Sequence, residues 1–327
     1  MVAMMRLKAK DVISRHEKAL TKKENFRDLY EEAYEFALPQ RNLYDGYYDG
    51  KVSGQKKMNR VFDSTAIAST QRFANRMQSG IFPPQRKWCR LEPGSDIPSD
   101  RKQEAQAALD VYSDRMFDTL KQSNFDVAIG EFLLDLSVGT AVMMVQPGDE
   151  TNPINFVPVP QYLVAFEEGA DGQVDNVYRR MRIKGEVLKR QWPDIKIPEE
   201  LQKKIDEKPT EELDLIEATV QDQKRGDYCY HVIDKASKTE LVYRRMGTSP
   251  WIVSRYSKVA GEIYGRGPLI TAMPDIKTLN KTLELVLKNA SLAISGVYTA
   301  ADDGVLNPNT VQIMPGAIIP VALLVFL

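Results

Sequence analysis

Histidine and cysteine are scarce in this 327-residue chain, with two of each. His16 and His231 stand far apart, one on a predicted helix and one on a predicted strand, so a histidine-based acid/base pair or zinc site has little material. Cys89 and Cys229 lack CxxC spacing and are too few for a disulfide scaffold, which fits a reducing cytoplasm. Cys89 lies in a basic segment beside Trp88, but no partner base accompanies it. The phosphate loop GxxxxGK[ST], the HExxH and GxSxG signatures and a GxGxxG after a strand are all missing. No enzymatic activity, no metal and no cofactor is therefore expected. Long apolar runs are missing as well. The longest, Ala317 to Leu327, contains Pro320 and falls short of the roughly 20 residues that span a bilayer. The opening MVAMMRLKAK has no apolar stretch of signal-peptide length, so neither secretion nor a membrane partner is expected. Charge of one sign is also absent: 44 Lys and Arg face 45 Asp and Glu, for a net charge of −1. Bulk charge thus gives no drive toward nucleic acid, and any DNA contact must be local.

What is present is a globular mixture, 43% hydrophobic and 27% charged. The length suits two domains, or one domain with an extended appendage. From Ala9 to Ala37 apolar residues recur at helical spacing up to Pro39. Arg60 to Ser64 leads into a second helix reaching about Ser79, with Asp63 or Ser64 as its cap. Further helices are predicted over 101–120 and 127–136. After Gly139 the period changes to short β-branched or aromatic segments at 140–146, 154–166, 174–183, 213–220, 228–233, 241–245 and 251–256. These predict an antiparallel sheet region, interrupted over 198–212 by a charge run that reads as a solvated helix or loop. The helical period returns from Pro274 to Ile294, and Gly296 closes it. The fold class is α+β. No internal repeat occurs, so any ring symmetry must come from copies of the whole chain.

Two constellations bear on chemistry. Pro193-Asp194 and Asp275-Ile-Lys277 carry the letters of a metal-dependent nuclease, in which two carboxylates hold Mg²⁺ and a lysine polarises water or phosphate. The plainer reading is that Pro-Asp opens a helix in both places, since Pro suits the first turn and Asp complements the positive helix end. On the last helix, Ile276, Leu279, Leu283, Leu287, Ala290 and Ile294 share one side. Lys277, Lys281 and Lys288 fall within a narrow arc of another. From periodicity alone this stripe reads as an ordinary solvated lysine face.

Five elements in order carry a resemblance over almost the whole chain. They are Leu29-Tyr-Glu-Glu-Ala-Tyr-Glu-Phe-Ala-Leu-Pro-Gln-Arg-Asn, then Arg60-Val-Phe-Asp-Ser-Thr-Ala with Pro83-Pro84 and Trp88 after it, then Gly265-Arg-Gly-Pro, Pro274-Asp-Ile-Lys and Asp302-Asp-Gly-Val-Leu. Together they resemble the head-to-tail connecting, or portal, proteins of short-tailed bacteriophages (podoviruses). The resemblance implies a subunit of a ring, typically a dodecamer, at one capsid vertex of the virion, assembled in the bacterial host cytoplasm. Double-stranded DNA would be packaged and ejected non-specifically through its lumen. Implied partners are the capsid and scaffolding proteins, a terminase supplying the packaging energy, and tail or adaptor proteins. It further implies a portal-type wing over 1–267, a stem helix over 268–296 and the start of a clip over 297–322. Lys277, Lys281 and Lys288 would then lie along the DNA channel. Residues 323–327 depart from the family pattern and are expected to mark a truncation, with a short buried terminal strand as the other reading. A metal-dependent nuclease using Asp194, Asp275 and Lys277, or a scaffold module unrelated to phage, are the alternatives.

Overall fold

Two amphipathic helices open the chain, where the sequence predicts a single one. A computed structural model describes residues 7–44, 60–84, 86–223, 225–296, 298–301 and 317–321. Helix α1 (Ala9–Glu24) ends at Asn25, and α2 (Arg27–Ala37) starts after Phe26. The break lets two inward residues reach different targets. Lys23 is buried and donates to the carbonyls of Gln161 (2.7 Å), Tyr162 (2.6 Å) and Val164 (2.9 Å). Phe26 turns its ring toward Tyr30 and Tyr264, at centroid distances of 6.1 and 5.3 Å. Helices α3 (Thr65–Ile81), α4 (Lys102–Gln122) and α5 (Phe125–Val138) follow. Asp63 accepts from the backbone N–H and the hydroxyl of Thr65 at the start of α3. The small residues Ala66, Thr70 and Ala74 recur every fourth position and let α3 approach α5 closely.

The change of period at Gly139 is real: β1 (Thr140–Pro147) begins one residue later. The predicted sheet region forms two antiparallel sheets rather than one. β1 lies between β2 (Ile154–Val159) and β8 (Trp251–Arg255) in the first. The second is a meander of β3 (Val164–Glu168), β4 (Val174–Lys184), β5 (Glu212–Asp222), β6 (Asp227–Asp234) and β7 (Thr239–Met246). The expected single strand over 154–166 is therefore two, one in each sheet. A 3-10 turn at Gln161–Leu163 divides them, following Pro160 and held by Lys23. The charge run contains α7 (Glu199–Glu207), which buries only Leu201 and Ile205. It follows the single turn α6 (Leu188–Gln191) in the β4–β5 connection.

Both sheets are covered on two faces, which explains why their strands read as nearly continuous apolar runs. In β1, Ala141 and Met143 face α5, while Val142 and Met144 enter the main core. In the meander, Tyr178, Ile216, Ala218 and Ile233 pack under Val12, Ile13 and Ala19 of α1. Val177, Leu215 and Val232 point the other way, into the main core with Tyr30, Phe166 and Tyr264. Buried acids are held by specific partners. Glu217 accepts from Tyr230 at 2.5 Å and faces Arg179 at 3.4 Å. Asp135 accepts from Tyr34 (3.0 Å) and from Arg41 (2.8 and 3.1 Å). Burial pushes the Asp135 carboxyl up, and Arg41 pulls it back.

The α5–β1 junction and the segment leading out of β8 cross in van der Waals contact. Gly139 has φ 155°, and a Cβ there would lie 2.1 Å from the Gly265 carbonyl oxygen. A Cβ on Gly265 would lie 2.4 Å from the Gly139 carbonyl oxygen. Four hydrogen bonds close the crossing. The N–H of Gly267 donates to Val138 (2.8 Å) and that of Tyr256 to Gly139 (2.9 Å). The N–H of Gly265 donates to the Thr140 hydroxyl (2.8 Å), and Tyr30 donates to the Gly265 carbonyl (2.6 Å).

The last helix, α8 (Pro268–Ser295), starts from this crossing with Gly267 as N-cap and Pro268 in its first turn. It begins earlier than the Pro274 expected from periodicity. Pro274 lies inside the helix. Asp194 sits in a turn after α6, and Asp275 sits within α8. Neither Pro-Asp pair opens a helix. A short parallel pair, β9 (Tyr298–Ala301) and β10 (Ile318–Val321), follows α8. The Asp302-to-Leu306 motif, most of the expected clip and the expected tail at 323–327 lie outside the described residues.

Two predictions follow from the core. Gly265→Ala forces two backbones apart and should cost roughly 3 kcal/mol of unfolding free energy. Gly247→Ala, where nothing lies within 4 Å, should cost far less, and urea denaturation midpoints check both. His16 is buried on α1, and desolvation pushes its imidazole from 6.5 down to about 4, helped by Lys235, Arg180 and Lys23 against Asp214. The unfolded chain binds that proton more readily, so the contribution is fully present above pH 6.5. It is lost as pH falls toward 4, by about 3 kcal/mol. Denaturation at pH 4.5 and 7.5 should show this loss, and His16→Leu should flatten it.

Candidate nucleic-acid interface

The three lysines of the predicted stripe all lie on α8, whose 28 residues make a rod about 42 Å long. Its two halves differ in environment. In the first half Leu269 and Met273 are buried, Ile270 and Ile276 pack against the main core, and α2 and α5 flank the helix. Asn280 marks the boundary. Its side chain is buried, accepting from the N–H groups of Phe62 (2.7 Å) and Asp63 (3.2 Å) and donating to the Arg60 carbonyl (2.9 Å). This pins the approach to α3 against α8. Sequence reasoning passed over Asn280, although a signal existed: it shares a face with Leu269, Met273 and Ile276, a polar residue at an apolar phase.

Beyond Asn280 most of the apolar residues are uncovered among the described residues, with Leu283 and Leu292 half-buried. Leu285 is 49% exposed, Val286 54%, Leu287 55% and Ile294 86%. Of the side that periodicity marked for packing, Ile276 packs against the core and Leu283 is half-buried, while Leu279, Leu287, Ala290 and Ile294 are exposed. Gly296, at φ 68°, ends the helix with its N–H on the Leu292 carbonyl.

The lysines do share one face, and each has an acidic partner. Lys277 donates to Glu32 of α2 at 2.6 Å. Lys281 and Lys288 converge on Glu284, which lies between them, at 2.9 and 2.6 Å. Lys288 and then Lys281 hold the Glu284 carboxyl below its ordinary range. Three lysines against two carboxylates leave one unit of positive charge on the stripe. All three ammonium groups are about half exposed or more. Exposed ion pairs of this kind are worth about 0–1 kcal/mol, so an incoming phosphate can displace either carboxylate at small cost.

The nuclease letters are not assembled into a site. Asp194 is bound through both oxygens by Arg244, at 2.7 Å from its Nε, and the guanidinium holds the carboxyl low. Lys277 is turned to Glu32. Among the described residues no three His, Cys, Asp or Glu side chains group to hold a metal ion. His16 and His231 are both buried, and His231 meets Glu240 at 2.6 Å through Nδ1. Cys89 is exposed, while its neighbour Trp88 stitches the segment before α4 to the rings of Phe82 (5.0 Å), Phe117 (5.4 Å) and Phe125 (6.0 Å). No helix among the described residues is long and apolar enough to cross a membrane.

The sequence matches a family of known proteins. The family model for the bacteriophage head to tail connecting protein matches residues 9–325. A curated relative described as a probable portal protein, from Bordetella phage BPP-1, is 22% identical over 283 residues. That match covers 82% of this chain and 50% of the relative, so the chain spans about half the length of the curated relative it matches. With every described element from α1 to β10 inside the matched range, this α+β chain belongs to the bacteriophage head to tail connecting protein family.

Proposed function

We propose that this chain is a portal subunit that assembles with copies of itself into a closed ring at a capsid vertex, through which double-stranded DNA is packaged and ejected. The observation that carries the reading is α8. Its first half is built into the core, while in its second half Leu287 and Ile294, which share one side, are exposed, as are Leu285 and Val286 on other sides, and no described part of the same chain covers them. Burying a Leu, Val or Ile side chain is worth roughly 1.5–3 kcal/mol, so several such residues repeated around a ring supply a strong drive to associate. In this reading residues 1–267 are the wing, 268–296 the stem and 297 onward the start of a clip. The twelvefold ring, the capsid, scaffolding, terminase and tail or adaptor partners, the virion location and assembly in the host cytoplasm are part of the same proposal.

The chain's role is structural. Packaging energy comes from a separate ATP-hydrolysing terminase, which accords with the lack of a phosphate loop in the sequence. A conduit must touch phosphate without gripping it, because affinity rises steeply with each lysine that displaces counterions. The stripe of Lys277, Lys281 and Lys288 meets that requirement, since Glu32 and Glu284 leave it with only one net positive charge. DNA sliding past such a face exchanges one weak partner for another.

Two variants test the reading. Leu287→Asp combined with Ile294→Asp should abolish ring assembly in sedimentation while leaving the thermal unfolding of the single chain within a few degrees. Equal sedimentation of variant and unsubstituted protein contradicts the α8 interface. Replacing Lys277, Lys281 and Lys288 with Gln should keep rings intact and change DNA retention or packaging. Rings that fall apart would mark the lysines as contacts between subunits, and unchanged retention would make them a solvated face.

A further inference from the structure

Helix α3 differs from the other helices in its charge. Among the described helices of eight residues or more, it alone contains no aspartate or glutamate. It carries two arginines, Arg72 and Arg76, both exposed. Most other arginines that the fold holds in place are matched to a carboxylate: Arg41 to Asp135, Arg90 to Asp110, Arg180 to Asp214, Arg244 to Asp194, Arg266 to Glu262. No described carboxylate pairs with Arg72 or Arg76. Asp63, just before α3, accepts from Thr65, and the carbonyl of Asp126 takes the Gln78 amide at 2.8 Å.

The two guanidinium groups are neighbours. Four residues apart, they share one face, with Cβ atoms about 5–6 Å from each other. The exposed positions around them are Ala68, Ser69, Asn75 and Ser79, all small or polar. The opposite face is fixed on α5 by Ala66, Thr70 and Ala74. A rigid helix thus presents two unneutralised forks on a surface low enough for a rod-like polyanion to lie against. Apart from the half-buried Phe73, whose ring packs on Tyr256 at 5.9 Å, no large apolar residue borders them, which argues against a protein partner, whose interface core would need aromatic or aliphatic anchors. Such a surface suits a phosphate backbone, which is met by arginine forks and small polar side chains.

We propose that the exposed face of α3, through Arg72 and Arg76, is a phosphate-backbone contact surface for duplex DNA, separate from the lysine stripe of α8. The choice of duplex rests on the portal reading above; the location and the residues are independent of it. The contact is without sequence preference, and it is the stronger of the two per side chain because no internal carboxylate must first be displaced.

The test is the salt dependence of binding to a mixed-sequence duplex, measured by fluorescence anisotropy on the assembled full chain. In Arg72→Gln/Arg76→Gln the slope of log K against log salt should fall by about 0.9 per phosphate lost, about 2 for each engaged subunit. Arg72→Lys/Arg76→Lys should retain most of the slope. Sedimentation of both variants should match the unsubstituted protein. An unchanged slope in the Gln variant overturns the proposal, and so does loss of assembly, which would assign the arginines to carboxylates of a second copy. If the slope falls only in the lysine variant of α8, this inference fails while the portal reading stands. An unsubstituted ring that binds no duplex overturns both.

Discussion

The crossing of two backbones at Gly139 and Gly265 sets the positions of everything that matters in this molecule. No side chain fits between them, since a Cβ on either glycine would fall within 2.1 to 2.4 Å of the other's carbonyl oxygen. On one strand of the crossing α5 turns into β1. On the other β8 passes into α8. The direction in which the long helix leaves the core is therefore fixed by a contact that tolerates no extra atom. Hydrogen bonds from Tyr30, Gly265 and Gly267 lock the contact, and the pair Asp135–Arg41 ties α5 to the turn after α2. Replacing one partner of such a pair leaves an uncompensated charge inside the protein, which typically costs 3–5 kcal/mol.

Two of the short motifs that carry the family resemblance meet at this place. Tyr30, Tyr34 and Arg41, from the Leu29-to-Asn42 element, reach Gly265 and Asp135. Gly265-Arg-Gly-Pro supplies the crossing and the first turn of α8, and Arg60 to Asp63 are held by Asn280. In the described residues of these motifs the letters serve packing geometry.

Much of the fold was legible in the sequence because its signals are local. Helix starts and stops, the switch of period at Gly139 and the seven short β segments follow from spacing and turn residues. What was not legible depends on partners distant in the chain. The break between α1 and α2 and the split between β2 and β3 both hinge on buried Lys23, whose three carbonyl acceptors lie some 140 positions away. Pro274 read as a helix start because a proline inside a helix is unusual, while the actual start at Pro268 is set by the crossing. The lysine stripe was visible as spacing, but Glu32, its partner in α2, was not. Nor did periodicity separate the covered half of α8 from the uncovered half.

The long helix joins these two levels of the account. Its base is immobilised by a core that the glycine crossing defines, and its free half offers apolar surface and a nearly neutralised cationic face in different directions. In the function proposed above, the contacts of that free half fall to copies of the chain and to a polyanion. Electron microscopy of the purified full chain tests that claim most directly. The account predicts closed rings with a central hole and α8 lining it, and monodisperse single chains, or rings with α8 on the outer rim, would contradict it.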